Sequence, residues 1–124
     1  MKQESSIYHQ SKSAIELEHD IVEKAKKNAR DFAPIYKKYH APILQFVYLR
    51  LDDKDLAIDV TQQVFLKAIE NLKKYEFRGL PFSSWLYRIA INELNQLFRK
   101  NKKMRTINLN ESITIDLIHE MEDE

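Results

Sequence analysis

The sequence predicts an all-α protein, folded as a compact bundle of three to four helices. Only one glycine and three prolines occur among its 124 residues, which leaves few of the turns that β-hairpins require. Charged residues make up 31% of the chain and hydrophobic residues 44%, a balance typical of globular helical proteins. Apolar residues recur every three to four positions along most of the chain, which is the spacing of a helix face. A chain of this length is expected to form one domain.

The chain is predicted to begin with a disordered segment followed by an amphipathic helix. Residues 1–13 are polar and show no helical apolar pattern. Residues 14–29 form the first predicted helix, on which Ile15, Val22 and Ala25 share one face.

Two prolines mark the second predicted helix. Asp31 is expected to be its N-cap, and Pro34 then falls in the first turn, where a missing N–H costs little. Pro42 lies inside the apolar pattern and predicts a kink or a break near His40. The segment ILQFVYLRL that follows is apolar nearly all round, so we expect the most buried helix of the domain there.

The third predicted helix, over residues 54–72, has a distinct inner and outer face, and the segment LDDKD caps its start. The inner face is expected to contain Ala57, Thr61, Val64, Phe65, Ala68 and Leu72. The outer face is expected to contain Asp59, Gln62, Gln63, Leu66 and Glu70. A leucine among acids and amides is either an ordinary exposed residue or the anchor of an interface.

The segment from Pro81 to Arg105 predicts a fourth helix with one apolar and one basic face. The loop KKYEFRGLP precedes it, and Pro81 suits its first position. The apolar face is expected to contain Phe82, Leu86, Ile89, Ala90 and Leu97. The opposite face is expected to contain Arg88, Asn92, Asn95 and Arg99, with Trp85 at its edge and Lys100, Lys102, Lys103 and Arg105 beyond it.

This basic face favours nucleic acid as a partner. Cations bind phosphates, amides bind base edges, and aromatic rings stack on exposed bases. The alternative is a solvated basic surface without a partner, although a tryptophan and two asparagines are unusual in a surface that only confers solubility.

Charge is segregated along the chain, although the formal net charge is only +1. Residues 1–105 contain 20 basic and 13 acidic side chains, a net charge of +7, whereas residues 106–124 contain six acidic side chains and no Lys or Arg. A cationic body suggests a polyanionic partner. The acidic tail is expected to be a solvated end or to compete weakly for the basic face.

Several classes of protein are disfavoured. The chain has no cysteine, which removes disulfides and agrees with a reducing cytoplasm. The N-terminus lacks the apolar run of a secretory signal, and no apolar stretch reaches the roughly 18 residues needed to cross a membrane. We therefore expect a cytoplasmic location and no membrane partner.

An enzyme is also disfavoured. Glu16 and His19 form a single E-x-x-H match, but a di-iron bundle requires two such motifs and two further glutamates. No glycine-rich phosphate loop or G-x-S-x-G motif occurs. The sequence predicts a binding protein with neither catalytic residues nor a cofactor.

Three segments together resemble a known family. DFAPIYKKYHAPILQFVYLRL, DLAIDVTQQVFLKAIENL and FSSWLYRIAINELNQLFRK follow one another in the order found in region two of extracytoplasmic-function (ECF) sigma factors, the smallest promoter-specificity subunits of bacterial RNA polymerase. The family pattern Asp-hydrophobic-x-Gln-x-x-Phe corresponds here to Asp59–Phe65, and Trp-Leu-x-x-Ile-Ala-x-Asn corresponds to Trp85–Asn92. The resemblance covers residues 31–105.

The resemblance implies two partners. The outer face of the third helix would dock on the clamp helices of the largest subunit of core polymerase, through Asp59, Gln62, Gln63, Leu66 and Glu70. The following loop and the fourth helix would bind the non-template single strand of the promoter minus-ten element and hold one flipped-out base. The residues implied in DNA binding are Tyr75, Phe77, Arg78, Trp85, Arg88, Asn92, Asn95, Arg99, Lys102 and Lys103.

The chain also departs from the family. No helix-turn-helix domain for the minus-thirty-five element fits within residues 106–124, which resemble the start of an interdomain linker. Ile58 occupies a position where family members often have an acid. An inhibitory anti-sigma factor is a possible further partner in such a family. A helical adaptor that binds protein but not DNA is the competing hypothesis.

Overall fold

A computed structural model describes residues 10–101 and contains four α-helices. They are α1 (Lys12–Lys27), α2 (Ala33–Leu51), α3 (Lys54–Glu70) and α4 (Ser83–Lys100), with short 3-10 segments at Ala29–Phe32 and Leu72–Lys74. The described residues contain no β-strand. The predicted all-α bundle is thus confirmed. Lys102, Lys103 and the acidic tail lie outside the described residues.

Helix α1 begins two residues earlier than predicted because Ser11 caps it. The Ser11 hydroxyl accepts a hydrogen bond from the Ala14 N–H at 3.1 Å. At the other end, the Asn28 side chain accepts from the Arg30 N–H at 3.1 Å and starts the 3-10 segment.

The two predictions for the start of α2 have different outcomes. The expected N-cap role of Asp31 is wrong, because Asp31 lies within the 3-10 segment and α2 starts after Phe32 without a side-chain cap. Pro34 does lie in the first turn, where its missing N–H costs little.

Pro42 does not break α2, which runs without interruption from Ala33 to Leu51. Proline removes one backbone hydrogen bond, but the neighbouring Tyr39 and Ile43 are completely buried, and this packing holds the helix together. The all-round burial expected for the second half of α2 is also wrong. Tyr48 and Leu49 are exposed, because α3 and α4 cover only one side of α2.

Helix α3 has the faces that its sequence predicts. Asp53 caps it, its side chain accepting from the Leu56 N–H at 3.1 Å. Every residue expected on the inner face is buried, and every residue expected on the outer face is exposed. Leu72, predicted as the last residue of this helix, lies instead in the short 3-10 segment that follows it.

The buried face of α4 is rotated by about a quarter turn from the prediction. Ser83, not Pro81, is its first residue, so Phe82 lies outside the helix. A helical periodicity that is counted from Phe82 therefore assigns the wrong residues to the buried face. Ile89 and Leu97 are only half-buried. The buried face contains Ser83, Leu86, Tyr87, Ala90, Ile91, Leu94, Asn95 and Phe98.

Asn95 is the one residue of the predicted basic face that this rotation buries, with only 7% of its side chain and backbone area exposed. It follows Ile91 by four positions and precedes Phe98 by three, so it shares their buried face. Gln96 is exposed in its place.

Packing between α2, α3 and α4 forms most of the core. Phe46 of α2 and Tyr87 of α4 meet edge to face, with ring centroids 5.0 Å apart, an arrangement that favours aromatic pairs beyond the area they bury. Ile35, Ile43 and Leu94 are fully buried in the same core.

A buried carboxylate joins α1 to the rest of the bundle. Glu18 is 5% exposed. One of its oxygens accepts the backbone N–H of Phe82 at 2.9 Å, and the other accepts Lys38 Nζ at 2.9 Å and the Tyr39 hydroxyl. Burial, together with the charge of Glu18, raises the pKa of Tyr39 well above its usual range. Three elements that are distant in sequence therefore meet at one side chain.

Replacing Tyr39 by Phe should lower the free energy of unfolding by about 1–3 kcal/mol, because a buried oxygen of Glu18 loses one of its two donors. Urea unfolding followed by circular dichroism measures the change. Tyr36→Phe is the matched control, since Tyr36 lies on the same helix and is exposed; its effect should stay within about 0.5 kcal/mol. Equal stability of both variants would contradict a role for the Tyr39 hydroxyl.

Candidate nucleic-acid interface

A cavity of about 370 Å³ opens between the loop after α3 and the first turns of α4. The loop contributes residues from Lys74 to Pro81, and α4 contributes three residues that face the same side of the helix. The lining residues are Lys74, Tyr75, Glu76, Arg78, Leu80, Pro81, Ser84, Trp85 and Arg88. The cavity thus combines three cations, one carboxylate and two aromatic rings.

The aromatic wall of the cavity is part of a packed cluster. The ring centroid of Trp85 lies 5.1 Å from that of Tyr75 and 5.3 Å from that of Phe82. Phe82 also meets Tyr75 edge to face at 4.9 Å. Trp85 is half-buried and packs against the core, while its contact with nucleic acid stays a prediction. An indole held on one side presents a fixed plane on the other.

Tyr75 is tied to α1 as well as to the aromatic cluster. Its backbone oxygen accepts a hydrogen bond from Lys26 Nζ at 2.9 Å, and the same ammonium lies 5.9 Å from the centre of its ring. Burial, and then the charges of Glu18 and Glu23, raise the pKa of Tyr75 to about 12. The phenol is therefore neutral at physiological pH and contributes an uncharged wall.

Phe77, which the resemblance implies in DNA binding, does not line the cavity. Its ring stacks on the imidazole of His19 in α1, with centroids 4.1 Å apart and planes inclined by 14°. Stacking on α1 covers one face of this apolar ring, which the open loop would otherwise leave exposed. Arg78 does line the cavity, with its guanidinium 3.6 Å from the Glu76 carboxylate.

The exposed face of α4 continues away from the cavity. Arg88, Asn92, Gln96 and Arg99 are exposed at helical spacing along it. Arg88 is at the cavity itself, Asn92 lies about one turn farther, and Arg99 lies about 16 Å along the axis from Arg88. The structure therefore places Arg88 with the loop residues, and separates Asn92 and Arg99 from them as a polar track.

The outer face of α3 forms a second surface. Leu66 is 48% exposed and has polar neighbours, as the sequence predicts. Ile58 and Ile69 are also exposed on this helix, and their spacing of i, i+8 and i+11 aligns the three side chains. Ile69 extends the surface beyond the residues identified from the sequence. Lys67 of this helix forms an ion pair with Glu93 of α4.

Two other kinds of site, a metal centre and a membrane-spanning helix, are absent from the described residues. Within residues 10–101, no group of three or more His, Cys, Asp and Glu side chains is placed to hold a metal ion. In the E-x-x-H match, Glu16 is exposed and His19 stacks on Phe77. No helix in this part of the chain is long and apolar enough to span a bilayer.

Comparison with known proteins decides the family. The pattern of the family described as sigma-70 region 2 matches residues 35–104, more than half of the chain. The chain belongs to this family.

Several relatives are ECF sigma factors. The chain is 35% identical over 82 residues to the ECF RNA polymerase sigma factor SigW of Bacillus subtilis. The aligned segment covers 65% of this chain and 43% of SigW. The chain is 38% identical over 79 residues to the RNA polymerase sigma-H factor of Pseudomonas aeruginosa, covering 62% and 40%. It is 29% identical over 84 residues to the ECF factor BldN of Streptomyces coelicolor, covering 67% and 32%. The chain thus spans less than half the length of these relatives.

The region 2 match extends over α2, α3, the cavity loop and α4, but not over α1. Both motifs that carried the resemblance lie within it, Asp59–Phe65 on α3 and Trp85–Asn92 on α4. The ECF region-two resemblance is therefore confirmed.

Sequence reasoning missed five lining residues, namely Lys74, Glu76, Leu80, Pro81 and Ser84. Four of them lie within the predicted loop, so the loop as a whole was the available signal, whereas Ser84 lies on the predicted fourth helix. It also missed Glu18, although Glu18 lies three positions after Ile15 and four before Val22, on the predicted apolar face of the first helix. A carboxylate at such a position indicates a buried hydrogen-bond acceptor.

Tyr75 should ionise late when the folded chain is titrated with base. Because its pKa is raised to about 12 in the folded state, the stabilisation from the neutral phenol is complete below about pH 10, its unfolded pKa, and is lost as the pH rises towards 12. Tyrosinate absorbance should show one late-ionising group fewer in Tyr75→Phe. Tyr48→Phe, altered at an exposed ring, should retain that late component. A loss of amplitude at about pH 10 in Tyr75→Phe, with the late component retained, would contradict the burial of the phenol.

Proposed function

We propose that the chain is the region-two domain of an ECF-type sigma factor, which binds core RNA polymerase and captures a non-template base of the promoter minus-ten element. Its family and its relatives support the general role, since sigma factors are non-enzymatic transcription initiation factors. The observation that carries the proposal is the basic cavity with an aromatic wall at the start of α4.

The cavity has the chemistry that an unstacked base requires. Its volume of about 370 Å³ falls at the lower end of small-molecule sites. Tyr75 and Trp85 supply apolar and stacking surface, while Lys74, Arg78 and Arg88 supply positive charge for the flanking phosphates. A base paired within a duplex cannot enter such a cavity, so only an open strand gains these contacts.

The exposed track on α4 would guide the adjoining strand. Asn92 can hydrogen-bond a base edge, and Arg99 can bind a phosphate several nucleotides from the cavity. Asn95 is left out of this track because it is buried, and Phe77 because it stacks on His19. Lys102 and Lys103, as the next basic residues in the chain, would extend the positive charge.

The outer face of α3 would bind the clamp helices of the largest polymerase subunit. Leu66, aligned with Ile58 and Ile69, gives an apolar centre. Asp59, Gln62, Gln63 and Glu70 are exposed on the same helix and would form its polar rim. A small apolar centre with a polar rim is the usual anatomy of a protein interface.

Strand opening by this domain would be a binding process rather than a catalytic one. Unstacking a base costs a few kcal/mol, while stacking on an aromatic side chain returns about 1–3 kcal/mol. The domain alone should therefore bind single-stranded DNA weakly, and polymerase contacts should supply the remaining affinity. Acting in transcription, it would work in the cytoplasm, with residues 106–124 as a linker to further domains.

Replacing Arg88 by Ala should weaken single-stranded DNA binding and flatten its salt dependence. Losing one phosphate contact lowers the slope of log K against log salt by about 0.7 for single strands. Fluorescence anisotropy with a labelled oligonucleotide of about a dozen nucleotides measures both effects, with and without core polymerase. Arg99→Ala should act in the same direction.

The charge-matched control is Arg30→Ala, since Arg30 is exposed between α1 and α2 and does not line the cavity. Its slope should remain that of the wild type. Absence of single-stranded DNA binding by the wild type, with or without polymerase, would favour the helical adaptor instead.

Replacing Leu66 by Asp should abolish capture of bacterial core polymerase while the helical content stays unchanged. Truncating or charging the centre of an interface commonly costs about 2 kcal/mol or more. Leu17→Asp is the control, because Leu17 is even more exposed, at 66%, and lies on α1. Co-purification with polymerase measures the difference; equal retention of both variants would exclude the α3 face as the docking surface.

A further inference from the structure

We propose that α1 braces the base-binding cavity, with Glu18 and Lys26 as positioning residues that hold its two ends without contacting DNA. This inference rests on the proposed function. It concerns a helix that lies outside the region 2 match, which begins at residue 35.

The first contact fixes the start of α4. The Glu18 carboxylate accepts the Phe82 N–H at 2.9 Å, and Phe82 gives α4 no side-chain cap of its own. A negative charge at a helix N-terminus also interacts favourably with the helix dipole. A side chain of α1 thus replaces the missing local cap, across 64 positions of sequence.

The second contact fixes the other side of the cavity. Lys26 Nζ donates to the Tyr75 carbonyl oxygen at 2.9 Å and also pairs with Glu23 at 3.0 Å. Tyr75 comes directly after the short 3-10 segment, where the chain becomes extended. The loop is therefore held where it leaves α3.

A third contact lies between these two. The imidazole of His19 stacks on Phe77, in the middle of the loop. Glu18, His19 and Lys26 occupy neighbouring positions on one side of α1, at spacings of one and seven residues. One helix side therefore supports the loop at its start, its middle and its end.

These contacts bear on the wall that would stack on a base. Tyr75 and Phe82 are the residues that α1 holds, and their rings are the two that pack against Trp85. Neither Glu18 nor Lys26 lines the cavity. Releasing either contact should tilt or loosen the indole while the cations remain in place. The expected signature is a loss of base-dependent affinity with unchanged dependence on salt.

The test uses the full chain and the partly buried Lys26, because a change at the buried carboxylate of Glu18 would also test the fold. Lys26→Met removes the hydrogen bond to Tyr75 but retains an aliphatic side chain. Lys27→Met is the matched control, with the same charge change at an exposed neighbour. Lys26→Arg keeps a donor and should restore wild-type behaviour. Glu18→Ala and its exposed counterpart Glu16→Ala form a second pair.

Two readouts apply to each variant. Trp85 is the only tryptophan, so acrylamide quenching of its emission reports the cavity wall without DNA. The second readout uses thymidine oligonucleotides of about a dozen nucleotides, each with A, C, G or T at the central position. The affinity for each is divided by the affinity for the same strand with an abasic central position. Lys26→Met should raise the quenching of Trp85. It should also lower the affinity ratio of the best-bound central base about threefold to tenfold, as expected for one lost hydrogen bond. Its salt slope should match that of Lys27→Met.

The outcomes separate the inference from the proposed function. If Lys26→Met and Lys27→Met agree in quenching and in the affinity ratio, the brace is refuted even though base capture stands. If the wild type binds every oligonucleotide as it binds the abasic strand, base capture is refuted, and with it the positioning roles. A lowered ratio with a reduced salt slope would overturn the inference too, because Lys26 would then be a phosphate contact.

Discussion

The hydrogen bonds of one buried carboxylate determine how this small bundle is assembled. Burying an ionised group costs several kcal/mol unless its oxygens are fully hydrogen-bonded. Glu18 meets that condition with donors from two other helical elements, Lys38 and Tyr39 of α2 and the N–H of Phe82 before α4. A hydrocarbon at this position would leave the Phe82 N–H, at the start of α4, without this acceptor. The carboxylate thus fixes the direction in which α4 leaves the loop.

This arrangement gives the two candidate surfaces different supports. The outer face of α3 belongs to a helix whose inner face packs against α2 and α4 along its whole length, so its geometry follows from apolar packing. The cavity is formed by an extended loop and a helix start, where the aromatic cluster of Tyr75, Phe82 and Trp85 is held in part by polar contacts from α1. Single polar substitutions should therefore affect the cavity more than the α3 face.

The success of the sequence-based prediction differed between elements for physical reasons. Both faces of α3 were predicted correctly because Asp53 marks its start and four turns of clean periodicity follow. The rotation of α4 was wrong because Phe82 is buried yet precedes the helix, and a helical pattern fixes spacing but not its starting phase. The position of the loop was predicted correctly, but the residues that form the cavity wall were not, because Phe77 stacks on His19 and the Tyr75 carbonyl accepts from Lys26. Such contacts depend on how α1 docks, and local periodicity contains no information about docking.

Within the proposed function, the α3 face would supply affinity for the polymerase, and the cavity would distinguish open from closed promoter DNA. A ligand shifts an equilibrium only by its differential affinity for the two states. Docking through Leu66 would add the same free energy whether the promoter is closed or open, so it contributes affinity and raises the local concentration of DNA at the cavity. The cavity beside Trp85 would admit only an unstacked base, so in this proposal it alone would distinguish the two states. It can therefore be weak and still select the open strand, provided that its wall keeps its shape. The contacts of α1 with Tyr75 and Phe82 would meet this requirement from a helix that lies outside the region 2 match.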